Sequence, residues 1–211
     1  MAAPVRIQSI SNTALAISVS GTLSTNPIQG NLLIAAVTSD VGAGVTSING
    51  FTSAGNVAIG LAGGLEIFYK TAGNSESGTI TANATLATFM DLHIYEYSGI
   101  DRTTPFGTIA SIADSGSGVT SRSSGTTTAA INATSLTFVA TAQALTNGGG
   151  ASWTNNMNVG NTTTHLITGD LSIFANDPQS SVASWTTSQR SAGIIATFLG
   201  QQGNTFWRGG R

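Results

Sequence analysis

Apolar and polar residues alternate with a period of two over short stretches, and runs of Gly, Asn, Ser and Thr punctuate them. That period is the signature of half-buried β-strands, and no long segment shows the 3.6-residue period of an amphipathic helix. Residues 5–10 open the series. In residues 14–21, Leu15, Ile17 and Val19 fall on one face. Residues 30–40 are apolar on both faces, as a central buried strand would be. Residues 45–48 end at Asn49-Gly50, a tight-turn signal. Further strands are predicted at 65–70, 79–85, 89–99, 127–131, 136–142, 165–168, 171–175, 182–187 and 192–199. Residues 111–128, rich in Gly, Ser and Thr, read as a long surface loop.

Strands apolar on one face must bury it against another layer, and no helix is available to cover them. The partner is then a second sheet about 10 Å away. The expectation is an all-β, two-sheet antiparallel β-sandwich, jelly-roll-like, of about ten to twelve short strands. One domain covers residues 1–199, and Phe68, Phe138, Phe174, Trp185 and Phe198 are its expected large core residues. After Leu199 the alternation stops, and residues 200–211 read as a flexible C-terminal tail. Phe206 and Trp207, beside Arg208, then have the composition of an anchor that binds a partner.

Only 8% of the 211 residues are charged, against about 25% in ordinary globular proteins. Disordered chains are rich in charge and poor in apolar residues, so this deficit belongs to a folded chain with small uncharged polar residues outside. The net charge is −2, and the seven basic residues are scattered. No basic stripe exists to neutralise phosphates, so nucleic acid is not an expected partner. The chain has no cysteine, which excludes disulfides and thiolate chemistry. No apolar run approaches ~18 residues, so no membrane-spanning helix is expected. The start lacks the basic and apolar regions of a signal peptide.

The ordered set of elements resembles the jelly-roll-like β-sandwich proteins found among bacteriophage structural proteins and bacterial surface proteins. The resemblance is carried by residues 30–37, 49–55, 67–74 and 94–101, by Thr104-Pro105-Phe106, and by the closing pair 183–188 and 192–198. Phe51 stands where such sequences commonly have Trp. The resemblance implies the fold and a structural or binding role, and it supplies no catalytic residues.

Few residues could carry chemistry. Asp91 and His93 share a strand face, which is compatible with an oriented imidazole or with a polar pair across strands; the polar pair is the expectation. Glu66 and Glu96 lie on separate strands that could meet across a sheet, but Lys70 shares a face with Glu66, and a Lys70–Glu66 ion pair is expected instead of paired-carboxylate catalysis. Asp170 and Asp177 flank a strand, but no calcium-loop motif accompanies them. Tyr95 and Tyr97 share a face and form a candidate platform for a sugar, with strand packing as the expected alternative. No nucleophile elbow and no phosphate-binding glycine loop occur. No catalytic residue, cofactor or metal is therefore assigned. The expected role is that of a non-enzymatic structural protein of a virus particle, such as a capsid decoration or a tail or fibre component. It would act as a homo-oligomer or array and on a capsid or tail protein. The alternative is a carbohydrate-binding or adhesive module at an extracellular or cell surface.

Overall fold

The computed structural model describes residues 3–40, 45–60, 63–129, 134–144, 152–154, 158–163, 165–174 and 177–202. Among these residues there is no helix. The chain is a jelly-roll-like antiparallel β-sandwich, with fourteen strands among the described residues, twelve without the two-residue β10 and the four-residue β3.

The front sheet has the order β1-β6-β2-β5-β4, built from β1 (Val5–Thr22), β2 (Leu32–Asp40), β4 (Thr52–Ala58), β5 (Gly63–Thr71) and β6 (Thr79–Ser98); β3 (Val45–Ile48) pairs with β6. The back sheet has the order β11-β12-β9-β14-β7, from β7 (Phe106–Ile112), β9 (Ser135–Gln143), β11 (Asn158–Thr162), β12 (Leu166–Ile173) and β14 (Ser191–Leu199). A small third sheet joins β8 (Val119–Thr126), β10 (Ser152–Trp153) and β13 (Ser180–Gln189).

Alternation explains where each residue goes. Leu32, Ile34 and Ala36 of β2 and Leu65 and Ile67 of β5 face Leu136, Phe138 and Ala140 of β9 and Ile194, Ala196 and Phe198 of β14 in the main core. Leu33, Ala35 and Val37 point the other way. They are buried too, beneath Val19, Ile48, Ile80 and Ala82. β2 is therefore apolar on both faces because it is covered on both.

The second cover is made by a fold-back that sequence reading did not anticipate. The two expected strands at 5–10 and 14–21 are one 18-residue strand, and 79–85 and 89–99 are one 20-residue strand. Their pairing has a small irregularity at Ile7 and a larger break in the middle. Ala16 opposes Thr88, but Ser18 opposes Asn83, so four residues of β6, 84–87, stand against Ile17 alone. There the ribbon bends, and the second half of β1 returns over the first. A Cβ on Gly21 would stand 2.7 Å from Ile94 Cδ1 and 3.2 Å from Ile10 Cγ2, so glycine is what permits the contact.

Several expectations are corrected. Residues 111–128 are not one loop, because they contain β8 and the end of β7. Residues 127–129, where a strand was expected to begin, lie beyond β8 and outside any strand. The two strands expected at 165–168 and 171–175 are one strand, β12, which runs from Leu166 to Ile173. Of the expected core aromatics, Phe68, Phe138, Trp185 and Phe198 are buried, whereas Phe174 is 69% exposed just past the end of β12. Leu15 and Ile17 are 67% and 61% exposed while Val19 is buried, because the bend lies between them and turns the apolar face outward. Strand pairing also continues past Leu199: Gly200 bridges Ile100, and the Gln201 N–H donates to Gly99 O at 2.8 Å.

Candidate functional site: a buried polar seam between the sheets

β6 lies opposite β12, and here the interior is polar. By alternation Asp91, His93, Tyr95 and Tyr97 all point from β6 toward the back sheet, where Thr168 and Asp170 of β12 answer them. Tyr97 Oη donates to Asp170 Oδ2 at 2.5 Å, and the Arg6 guanidinium reaches the same oxygen at 2.8 Å. Tyr95 Oη and Thr168 Oγ1 are 2.5 Å apart. His93 Nδ1 meets Thr168 Oγ1 at 3.0 Å, and its Nε2 meets Thr163 Oγ1 at 2.9 Å. At the far end Asp91 Oδ1 accepts from Thr13 Oγ1 at 2.5 Å, and its Oδ2 accepts the backbone N–H of His165 at 2.6 Å. The His165 ring lies between two carboxylates, 3.7 Å from Asp91 and 3.8 Å from Asp40.

The electrostatics follow from burial and partners. Burial pushes the His93 imidazole down to about 3 against the pull of Asp91, so the ring is neutral. A neutral ring has one donor and one acceptor nitrogen, and threonine hydroxyls can play either part. The hydrogen-bonded Asp91 carboxylate raises His165 above its ordinary value despite partial burial, with Asp40 adding to the effect. Burial works against ionisation of Asp91, but the contacts with His165 and Thr13 outweigh it and hold its carboxyl below the usual range. Burial raises Asp40, although His165 opposes this. The seam thus sets the Asp91 carboxylate, which its partners favour in the ionised form, against a His165 ring whose proton affinity that carboxylate raises, with the neutral imidazole of His93 beside them.

Asp91 and His93 do share a face, as alternation required, but each is bonded to other elements and not to its neighbour. Tyr95 and Tyr97 are fully buried and stack on each other at 6.1 Å, so they are interior packing and not a surface platform. Glu66 and Glu96 do not meet. β2 runs between their strands, and they oppose residues four apart on it, Val37 and Leu33, which separates them by ~16 Å. Glu96 accepts from Gln8, Asn31 and the Ile28 N–H, and Glu66 accepts from Ser53. Lys70 pairs with Glu76 at 2.8 Å, not with Glu66. Asp170 is held by Arg6 and Tyr97 inside the fold, so it does not act with the exposed Asp177. The tail residues Phe206, Trp207 and Arg208 lie outside the described residues.

Sequence reading missed His165 as the partner of Asp91 and Thr168 as that of His93. The period-two placement of Thr168 and Asp170 on β12 was visible, but nothing in the sequence says that β12 faces β6. Among the described residues, no group of three or more His, Asp or Glu side chains is placed to hold a metal ion.

The fold and this site define a class: an antiparallel sandwich whose polar interior joins its two sheets through side chains already bonded to one another. No protein-family model, curated protein or solved structure matches the chain.

Proposed function

We propose that this chain is a non-enzymatic structural protein of a virus particle, such as a capsid decoration or a tail or fibre component, that works by packing against other subunits. The observation that carries this reading is the surface of β1. It is the end strand of the front sheet, and among the described residues its ladder partner is β6 on one side. Free edges template pairing with another chain, and isolated proteins blunt them with charges, prolines or bulges; β1 is irregular at Ile7 and Ile17, but its one charge is Arg6 near its start. From Ile7 to Ser39 there is no charged residue. Along β1 the side chains of Val5, Ile7, Leu15 and Ile17 are exposed, and Leu86 and Phe89 of β6 extend the apolar surface at the bend. A patch of this kind on a chain with so few charges suits a protein held among neighbours.

The seam supports the same reading. Its titratable groups are consumed in joining the sheets, which favours rigidity over turnover. Antiparallel pairing of β1 with the β1 of a second copy is self-complementary and gives a two-fold contact. The test is the double substitution Leu15→Lys, Ile17→Lys. Both side chains point outward, so the melting temperature should stay within about 2 °C, while light scattering and electron microscopy should show assembly lost. A variant that assembles like the parent, or a parent that is monomeric at high concentration and bound to no particle, sinks this role. Deleting residues 201–211 asks the same question of Phe206 and Trp207: the expected result is impaired assembly at an almost unchanged melting temperature.

A further inference from the structure

A groove of about 320 Å³ lies between the β3–β4 turn, the β5–β6 turn and the first half of β6. Its apolar lining includes Ile48 and Ile80, which are core residues of the fold-back, and the half-buried ring of Phe51. The remaining lining is polar, with Asn49, Thr79 and Thr81 among it. The charges present are a matched pair. Lys70 Nζ donates to Glu76 Oε1 at 2.8 Å, and the Gly73 N–H donates to Glu76 Oε2 at 3.1 Å. Burial opposes ionisation of Glu76, but Lys70 and Gly73 together hold its carboxyl below the usual range.

The same ammonium stands 5.9 Å from the centre of the Phe51 ring. Gly50 permits this arrangement. Its φ of +74° is a left-handed conformation, and a Cβ there would come 3.2 Å from Lys70 Nζ. Ring, ammonium and carboxylate are thereby fixed as one unit before any ligand arrives. Thr79 and Thr81 are likewise set in place, their hydroxyls 3.0 and 2.7 Å from those of Thr22 and Ser20 on the returning half of β1.

These parts select a ligand class. The volume is at the lower end for ligand sites, which calls for a small molecule or one unit of a larger one. A self-neutralised ion pair offers donors and an acceptor but no net charge to attract an ion. One aromatic face ringed by hydroxyl, amide and ionic groups matches a molecule with an apolar face and a polar edge all round. We propose that this groove binds a neutral hexose unit of a glycan, its C–H face against Phe51 and its hydroxyls on Glu76, Lys70 and Asn49. The site is unrelated to the buried Tyr95 and Tyr97, and it is independent of assembly through β1, since the Leu15→Lys, Ile17→Lys variant leaves the groove intact.

The test is a glycan array carrying neutral and sialylated oligosaccharides, followed by amide-shift titration of the full chain with the best free oligosaccharide. The expected result is retention of neutral glycans, with shifts centred on residues 49–51, 70 and 76–81. Glu76→Gln and Phe51→Ala should each weaken binding at least tenfold, while Phe174→Ala, on an exposed residue elsewhere, should not change it. Because Phe51 also touches the core of the fold-back, Glu76→Gln is the deciding variant if Phe51→Ala lowers the melting temperature. Retention of no neutral glycan, retention of sialylated glycans only, or affinity unchanged in Glu76→Gln overturns the proposal.

Discussion

Phe198→Ala is expected to cost ~3–5 kcal/mol in chemical denaturation, the usual range for emptying a large aromatic site in a core. Phe198 is fully buried on β14 and closes the main core where Tyr69 and Phe106 meet it edge-on, at 5.7 and 6.1 Å between ring centres. Those two rings stack on each other at 5.5 Å, so the deletion leaves a void with aromatic walls on two sides. The strand that carries Phe198 cannot shift to fill it, because β14 is paired on both edges, with β9 and β7. Trp185→Ala should cost a comparable amount in the third sheet. There the indole is buried and its N–H donates to Val119 O at 2.9 Å, so truncation loses both packing and the tie between β13 and β8. A loss below about 1 kcal/mol for Phe198→Ala would show that the two sheets do not close on each other as described.

Stability is expected to fall as the pH drops below 6.5 and again as it rises through the folded value of His165, with His93 contributing to the first limb and His165 to the second. His93 takes up a proton near 6.5 when unfolded but only at about 3 when folded. Between those values the unfolded chain binds the extra proton, so acidification favours unfolding. At ~1.4 kcal/mol per pH unit, and with the group half titrated at each end, the loss from pH 6.5 to 4.5 is ~2 kcal/mol, and roughly 4 kcal/mol by pH 3. Asp40 and Glu66, whose folded values are raised by burial, oppose this at the acid end, so the measurement is a difference against His93→Gln. That variant should show a flatter acid limb. His165 behaves in the opposite sense. Its folded value is raised, so its contribution is complete below 6.5 and is lost as the pH rises through the folded value. His165→Gln should flatten the alkaline limb. Identical acid limbs in His93→Gln and the parent would mean that His93 is not buried as a neutral ring.

The contrast between Phe138 and Phe174 shows where reading the sequence stops. Both are aromatic residues in or next to an alternating stretch, and both were expected inside. Phe138 is inside because β9 is central and covered. Phe174 is outside because it sits one residue past the end of β12, where the sheet that would cover it has ended. Tyr95 and Tyr97 make the same point in reverse, since their shared face was legible while its direction, inward against β12, was not.

Period-two alternation, the absence of helical periodicity and the lack of charge were enough to determine an all-β sandwich and most of its strands, because a half-buried strand writes its burial directly into the sequence. They also determined that Asp91, His93, Tyr95 and Tyr97 point the same way. What the tertiary structure decided depends on contacts between residues far apart in the chain. The bend in the β1–β6 ribbon exposes Leu15 and Ile17 because three extra residues on β6 break the register, and nothing within β1 signals that. The seam exists because β12 lies across from β6, which sets His165 against Asp91 and Thr168 against His93. Local alternation specifies a face; only the packing of one sheet on another specifies what that face meets.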